Sequence, residues 1–533
     1  MSTTLTSVQP CWPRRLLHVD GDQLTSVERS GEATYGAFDA PPYNILSYTW
    51  GRFALREGDD GYGDVEPIRI HNVPWAIPRI RPEHFTAEKF LRVIQLVASG
   101  ITGSSRTSRV WLDVACIHQE DRAEKMDEIG RQAAIFDRAL DSFIWLSRLP
   151  AELLSRHCRN LHVTNGPLWI EDRHEDISSL LADPWFSSLW TLQESFLRSD
   201  AVWVAREGCT VPSERFPDSP LGQSDLVSYG ASLRDALRTE LARPTAAAEH
   251  RELGQAVFSM LDDLGVGALA RSNAVQLYSV ANRRCTLHPL DRIYGIMQVF
   301  GFVLGEARDP ERTFSLGELE DELGIAMNKE NAMFAQLFVH LQEPPPLRRW
   351  RIQPQISIPS RIHQLFDWGS RVSCAIGYDA AAGTAVFRGP AADFAALAAH
   401  WRDVSVHPRF QTVLSTPEVV LLDRTDRNAA RLHPALGLDS RQGGPGELND
   451  LLTAEYGAGL RVLVLGQTQD ICRGRRGGWA WCGVLVHPET VEMSDGVERT
   501  AWLRLGVCVW EFVAEELDET MKALLRDDEL YLG

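Results

Sequence analysis

The sequence predicts an α/β protein: a parallel sheet flanked by helices in its N-terminal part, then a helical middle region and a β-rich C-terminal region. Three observations lead there. Between residues 43 and 197 short apolar runs alternate with segments of helical period, the pattern of helices laid on parallel strands. From about 200 to 300 the periodicity is mainly helical, and past the proline stretch "QEPPPLRRW" (342–350) strands dominate. At 533 residues the chain exceeds one small core. The divisions expected are a lead-in at 1–42, an α/β domain at 43–200, a helical region at 201–345 and a β-rich region at 346–533.

The lead-in reads as irregular, with one short strand near "RRLLHVDG". In "YNILSYTWG" (43–51) the apolar run from Tyr43 to Tyr48 is a buried strand that stops at Trp50-Gly51. "PIRIHNVPWAI" (67–77) alternates apolar and polar residues around His71-Asn72 and suggests an inserted hairpin. A helix follows over 86–100, with Phe90, Val93, Ile94 and Val97 on one face and a glycine at its end. Val110 to Val114 in "SRVWLDVACIHQED" forms a second strand.

Asp121 with Glu124 resembles a capping box that opens a helix carrying Met126, Ile129, Ala133, Phe136 and Leu140 at helical spacing. "SFIWLS" (142–147) is the third strand, and 148–182 a polar insertion. Asp183-Pro184 starts the next helix, because aspartate caps free amides and proline needs no donor in the first turn. "PLDRIYGIMQVFG" (289–301) looks like a further helix opened by Asp291, and 302–330 like an acidic, Gly-rich loop. Toward the end, "TAVFRG", "EVVLLD", "LRVLVLG", "WCGVLV" and "AWLRLGVCVWEF" read as strands, and "AEELDETMKALLRDD" as a closing helix.

Composition narrows the function classes. A net charge of -18 argues against a general nucleic-acid binder, which needs a basic surface. The densest basic stretch, "CRGRRGG" (472–478), reads as an exposed loop between strands. The first residues lack the apolar core of a signal peptide, and no run approaches the ~20 apolar residues of a membrane span. Nine scattered cysteines with no C-x-x-C pair indicate neither a zinc site nor a disulfide framework. A cytoplasmic, reducing location is expected, with no metal and no bound cofactor.

Ligands of parallel sheets sit beyond the carboxyl ends of the strands, here "SYTWG", "CIHQED" and "SRLP". Glu194 and Trp190 stand one helical turn apart. An indole beside a carboxylate suits an aromatic, sugar-bearing ligand, although the same spacing fits a packed indole and a surface acid. Asp113, ending a strand, either serves the site or caps a loop. Cys116 near His118 allows a thiol nucleophile or a buried free cysteine. Ser47, Tyr48 and Trp50 either shape a pocket mouth or end a strand. Walker loops, G-x-S-x-G elbows and H-E-x-x-H helices do not occur.

Three segments in order resemble the heterokaryon-incompatibility (HET) domain of filamentous fungi. "YNILSYTWG" is similar to its Ser-Tyr-x-Trp-Gly strand, "VWLDVACIHQEDRAEKMDEIGRQAAIFDRA" to its Trp-x-Asp-x-x-Cys-Ile-x-Gln motif, and "DPWFSSLWTLQES" to Pro-Trp-Phe-x-x-x-Trp-x-x-Gln-Glu. His118 departs from the family's usual asparagine. The HET domain in turn resembles the Toll/interleukin-1-receptor (TIR) fold, a flavodoxin-like parallel sheet. "NILSY" looks like the first TIR strand, and Asp113 like the acidic residue ending the second. Ser188, Trp190 and Glu194 match Ser-x-Trp-Cys-x-x-Glu, with Thr191 replacing the cysteine. The resemblance implies a role in non-self recognition and regulated cell death, with assembly into a homo-oligomer and a protein partner. It also implies NAD as substrate, with Glu194 catalytic and Ser47, Tyr48, Trp50, Gly51, Asp113, Cys116, Ser188, Trp190 and Gln193 around it. Non-enzymatic signalling through protein contacts is the alternative that it leaves open.

Overall fold

The computed structural model describes residues 12–533 except 57, 60–61, 63–64, 102–104, 163–169, 242–247, 271–272, 360–361, 363–364, 406–417, 426–444, 471–477 and 512–514. The basic stretch at 472–477 and the first eleven residues therefore lie outside the described residues. The chain divides into two compact units, Thr3–Leu316 and Gly317–Gly533. The architecture is mixed α/β, with parallel strands near the N-terminus, helices in the middle and a β-rich C-terminal sheet.

The first unit is built on a six-stranded sheet. Its strands are β1 (Arg15–Asp20), β2 (Gln23–Glu28), β5 (Asn44–Ser47), β6 (Arg109–Trp111), β7 (Ser142–Trp145) and β8 (Val202–Val204); β3 (Thr34–Tyr35) and β4 (Phe38–Asp39) form a separate ribbon. Spatial order is β2-β1-β6-β5-β7-β8, and β6, β5, β7 and β8 run parallel. The lead-in thus supplies two sheet strands, paired antiparallel, rather than one isolated strand. β5 and β7 are buried along their whole length, as strands covered on both faces must be.

Helix α1 (Ala87–Ser99) is capped by Thr86, whose side chain accepts from the Lys89 amide, and it buries Phe90, Val93, Ile94 and Val97 as the spacing predicts. Gly100, at φ +72°, ends it. After β6 comes the single turn α2 (Asp113–Cys116), so the second strand is shorter than Val110 to Val114. Asp121 caps α3 (Arg122–Ile129) through the Glu124 amide. The expected single helix then breaks: α4 is Gln132–Arg138, and Leu140 stands outside it, 46% exposed. The break falls at Gly130, where a Cβ would press within 3.2 Å of Ala307 and Val303.

Other expectations need correction. Residues 67–77 are not a hairpin; they carry a single bridge, Thr25 to His71. Pro67, Pro74 and Pro78 lack the amides that a ladder requires, while Ile68, Ile70 and Trp75 are still buried. The "polar insertion" contains α5 (Ala151–Leu161) and α6 (Ile170–Leu181), each burying an apolar stripe. Downstream, α7 (Pro184–Ser187) and α8 (Leu189–Leu197) lead into β8, a strand of three residues, too short to show a period. Helices α9 (Gln223–Leu241), α10 (Ala248–Asp263), α11 (Val266–Leu269) and α12 (Ala274–Ala281) make up the middle. The helix expected at 289–301 is one turn, α13 (Asp291–Tyr294), then a 3-10 turn ended by Gly301 at φ +74°. The expected loop at 302–330 contains α14 (Leu316–Asn331).

In the second unit β9 (Val339–His340) and β10 (Ile356–Ser357) pair with each other. The eight-stranded sheet comprises β11 (Leu365–Val372), β12 (Ala375–Asp379), β13 (Thr384–Asp393), β14 (Glu418–Leu422), β15 (Arg461–Asp470), β16 (Gly478–Glu492), β17 (Glu498–Glu511) and β18 (Arg526–Leu532). β15, β16, β17, β18 and β13 pair in turn, and β13 returns to β15, closing a five-stranded ring. Closure leaves those five strands no open edge. The chain does not end in its last helix, Glu515–Lys522, but in β18, whose Arg526–Leu532 run pairs along β13.

Candidate functional site

Among the parallel strands the order is β6-β5-β7-β8, so the chain leaves β5 for one neighbour and afterwards reaches the other. The crevice at such a reversal, beyond the carboxyl ends of β5 and β7, is where open α/β sheets take ligands. Ser47 is the last residue of β5 and buried. Its hydroxyl donates to Glu194 Oε2 from α8 and accepts the indole N–H of Trp185 from α7 at 2.7 Å. Trp50, three residues on, donates its indole N–H to Asp113 Oδ2 at 2.6 Å. Two carboxylates are thereby bound to the two ends of one four-residue segment, Ser47 to Trp50.

The electrostatics favour neutral forms. Burial pushes the Glu194 carboxyl up to about 8, with the charge of Asp113 adding and the Ser47 hydrogen bond opposing. Glu194 nevertheless keeps a partial opening to solvent, unlike its fully covered neighbours Gln193 and Ser195. That opening is what a ligand would use. Burial also raises Asp113, against hydrogen bonds from Trp50 and the Val114 amide. Tyr48 is buried, and its hydroxyl titrates well above the ordinary range because of burial and the nearby Asp113.

Local sequence explains the placement. Asp183 caps α7 at the Trp185 amide, 3.0 Å, while its other oxygen accepts the Arg148 amide after β7 at 2.8 Å. One aspartate therefore ties α7 to the third parallel strand's end. Arg52 donates to the Pro184 carbonyl and to Ser187 Oγ at 2.8 Å, fixing the segment after β5 onto the same short helix. His84 sits between the two strand ends. Its Nε2 donates to the Thr49 carbonyl at 2.5 Å, and Ser147 Oγ lies 3.2 Å from Nδ1. Burial lowers the His84 pKa to about 4, so the ring is neutral at pH 7.

Other residues singled out from the sequence make their contacts outside the Ser47–Glu194 and Trp50–Asp113 pairs. Cys116 is completely buried in the apolar core, its thiol directed at the Val110 carbonyl and its pKa raised by burial, the surroundings of a structural thiol rather than a reactive one. Gln193 is consumed by structure: it donates to Gln132 Oε1 at 2.9 Å and accepts the Gln298 amide at 3.1 Å. Trp190 donates to Asp291 at 3.3 Å, outside the Ser47 pair. Ser188 acts through its backbone, bridging to Cys285 and accepting from Thr191 Oγ1 at 3.0 Å. Gly51 opens a 3-10 turn, and a Cβ there would only touch Leu287 at 3.9 Å. His118 Nδ1 accepts the amides of Glu120 and Asp121 at 3.2 and 2.8 Å. An asparagine oxygen could accept the same two bonds.

Sequence reading missed Trp185, His84, Ser147, Arg52 and Arg148. For Trp185 the signal was present, since "DPWFSSLW" holds two tryptophans four and nine residues from Glu194. For His84 in "RPEHF" no local pattern exists. Among the described residues no group of three or more His, Cys, Asp or Glu is arranged to hold a metal ion, and no helix is long and apolar enough to cross a membrane.

Fold and site together define an α/β domain with a carboxylate pair at the ends of its parallel strands. Residues 43–194 match the family model described as Heterokaryon incompatibility protein (HET), so this stretch carries a HET domain. The matched stretch runs from Tyr43, before β5, to Glu194 itself. A HET domain suggests a function in heterokaryon incompatibility. Neither a curated protein nor a solved structure matches the chain.

Proposed function

We propose that this chain is a cytoplasmic effector of non-self recognition and regulated cell death, and that its HET domain cleaves NAD at the nicotinamide–ribose bond. The observation that carries this reading is Glu194, hydrogen-bonded to Ser47 at the reversal of strand order, partly open to solvent and beside a second carboxylate. The order β6-β5-β7-β8 is the chain order second-first-third-fourth, the beginning of a flavodoxin-like sheet, and supports the TIR-like reading of the domain.

Cleavage breaks the bond between ribose C1′ and the nicotinamide nitrogen, and its electron pair leaves with the nicotinamide. Water then adds to C1′ and gives its proton to solvent, yielding ADP-ribose. The leaving group needs no proton, so the enzyme's task is to stabilise an oxocarbenium-like ribose. An ionised Glu194 does this by charge. The resting carboxyl is largely protonated at pH 7, and the positive charge of bound NAD favours its ionised form. Self-association of the chain is expected to complete the site.

The test is nicotinamide release from NAD by concentrated, purified chain. Wild type is expected to release nicotinamide and Glu194→Gln at least about a hundredfold less, the scale on which one electrostatic stabiliser acts. No release by assembled wild type, with cell killing retained in Glu194→Gln, would replace this reading by a non-enzymatic signalling module.

A further inference from the structure

Arg52 and Arg148 form a cationic corner at the ends of β5 and β7, on a chain whose net charge is -18. Both guanidinium carbons approach the ring of Phe53, at 5.3 Å for Arg52 and 5.9 Å for Arg148. His84 stacks on the same ring, with centroids 3.7 Å apart. Arg52 donates only to neutral oxygens, the Pro184 carbonyl and the Ser187 hydroxyl. Arg148 is exposed, and its one described hydrogen bond is made by its backbone amide.

Neither guanidinium has a carboxylate within ion-pair distance among the described residues. Asp183, whose charge acts on both arginines, spends both oxygens on backbone amides, and burial pushes its carboxyl up to about 6. Burial lowers the Arg52 pKa and the like charge of Arg148 adds to that, while Asp183 opposes it through space without forming an ion pair with either guanidinium. Arginine pairs left in this state suit a doubly charged oxyanion, which takes several guanidinium donors at once.

The corner shares its supports with the Glu194 pair. Arg52 and Trp185 both rest on α7, and Trp185 holds Ser47. We propose that Arg52 and Arg148 are the diphosphate subsite of this pocket, so that its ligand is a nucleoside diphosphate or dinucleotide rather than a nucleoside. This rests on the proposed function for the location of the ribose, but not for the charge recognition itself.

The experiment measures calorimetric binding of ADP and of adenosine to the full chain at low and at physiological salt. Arg148→Glu is the informative variant, because an exposed side chain can be reversed without disturbing the core. Wild type is expected to bind ADP at least about tenfold tighter than adenosine, with a preference that shrinks as salt rises. Arg148→Glu is expected to abolish the preference, and Glu194→Gln to retain it. Equal binding of ADP and adenosine by wild type, or unchanged ADP binding by Arg148→Glu, overturns the subsite. If Arg148-dependent ADP binding appears while no preparation releases nicotinamide, the subsite stands and NAD cleavage falls. If NAD is cleaved with the same KM by wild type and Arg148→Glu, cleavage stands and the subsite falls.

Discussion

Ser47 touches both the residue expected to do chemistry and the residue that orients it. Its hydroxyl accepts from Trp185, whose indole N–H can only donate, and gives its own proton to the ionised Glu194. A hydrogen bond donated to a carboxylate favours the charged form. Ser47→Ala is therefore expected to raise the Glu194 pKa above its value of about 8. For a cleavage that needs the ionised carboxylate, kcat/KM in wild type rises with pH to a limb near 8. The alanine variant moves that limb upward and leaves lower activity at pH 7. A pH profile of nicotinamide release reads the shift; an unmoved limb, with activity lost equally at every pH, would assign Ser47 to packing alone.

At the scale of elements, α8 presents different residues to different neighbours. Glu194 faces Ser47 of β5, whereas Gln193, one position earlier, joins α4 to the 3-10 turn at Met297–Phe300. A buried side chain with both polar ends paired is costly to truncate, since each partner is left unsatisfied. Gln193→Leu is expected to cost about 1–3 kcal/mol, seen as a lower denaturant midpoint with unchanged m-value. The strand and helix sites of this half were legible where period and capping agree. α1, β5, β7 and the Asp121 and Asp183 caps show that agreement. β8 failed to show because three residues are too short for a period, the helices expected after Asp121 and at 289–301 proved shorter than their patterns, and α5, α6 and α14 were hidden by their many charged and polar residues.

The whole molecule holds two units with separate cores. In the second, Arg504 of β17 is buried, donates to Asp423 Oδ2 at 3.1 Å and also reaches the Gln336 and Phe338 carbonyls. Asp423 accepts the His340 amide as well, at 2.9 Å. Removing one partner of such a pair leaves an uncompensated buried charge. Asp423→Ala is expected to destabilise the Gly317–Gly533 unit by about 3–5 kcal/mol. Hydrogen exchange locates the effect: β17 amides lose protection while those of β5 and β7 keep theirs. Equal loss in both units would show that they unfold as one.

By itself the sequence determined the local features of the HET domain. Apolar runs specify buried strands, aspartates specify helix starts, and the spacing within "DPWFSSLWTLQES" sets Trp190 and Glu194 one turn apart. Glu194 could be picked out because matching motifs fall within one continuous stretch of chain. Tertiary structure decided which groups meet it. Ser47 lies 147 positions from Glu194, and Trp50 lies 63 from Asp113. The choice of Trp185 over Trp190 as partner of Ser47 depends on how two short helices turn against the sheet. The unpaired corner of Arg52 and Arg148 likewise exists only once β5 and β7 lie side by side. Helical and strand periods are properties of neighbours in sequence, whereas a hydrogen bond or an uncompensated charge is a property of neighbours in space.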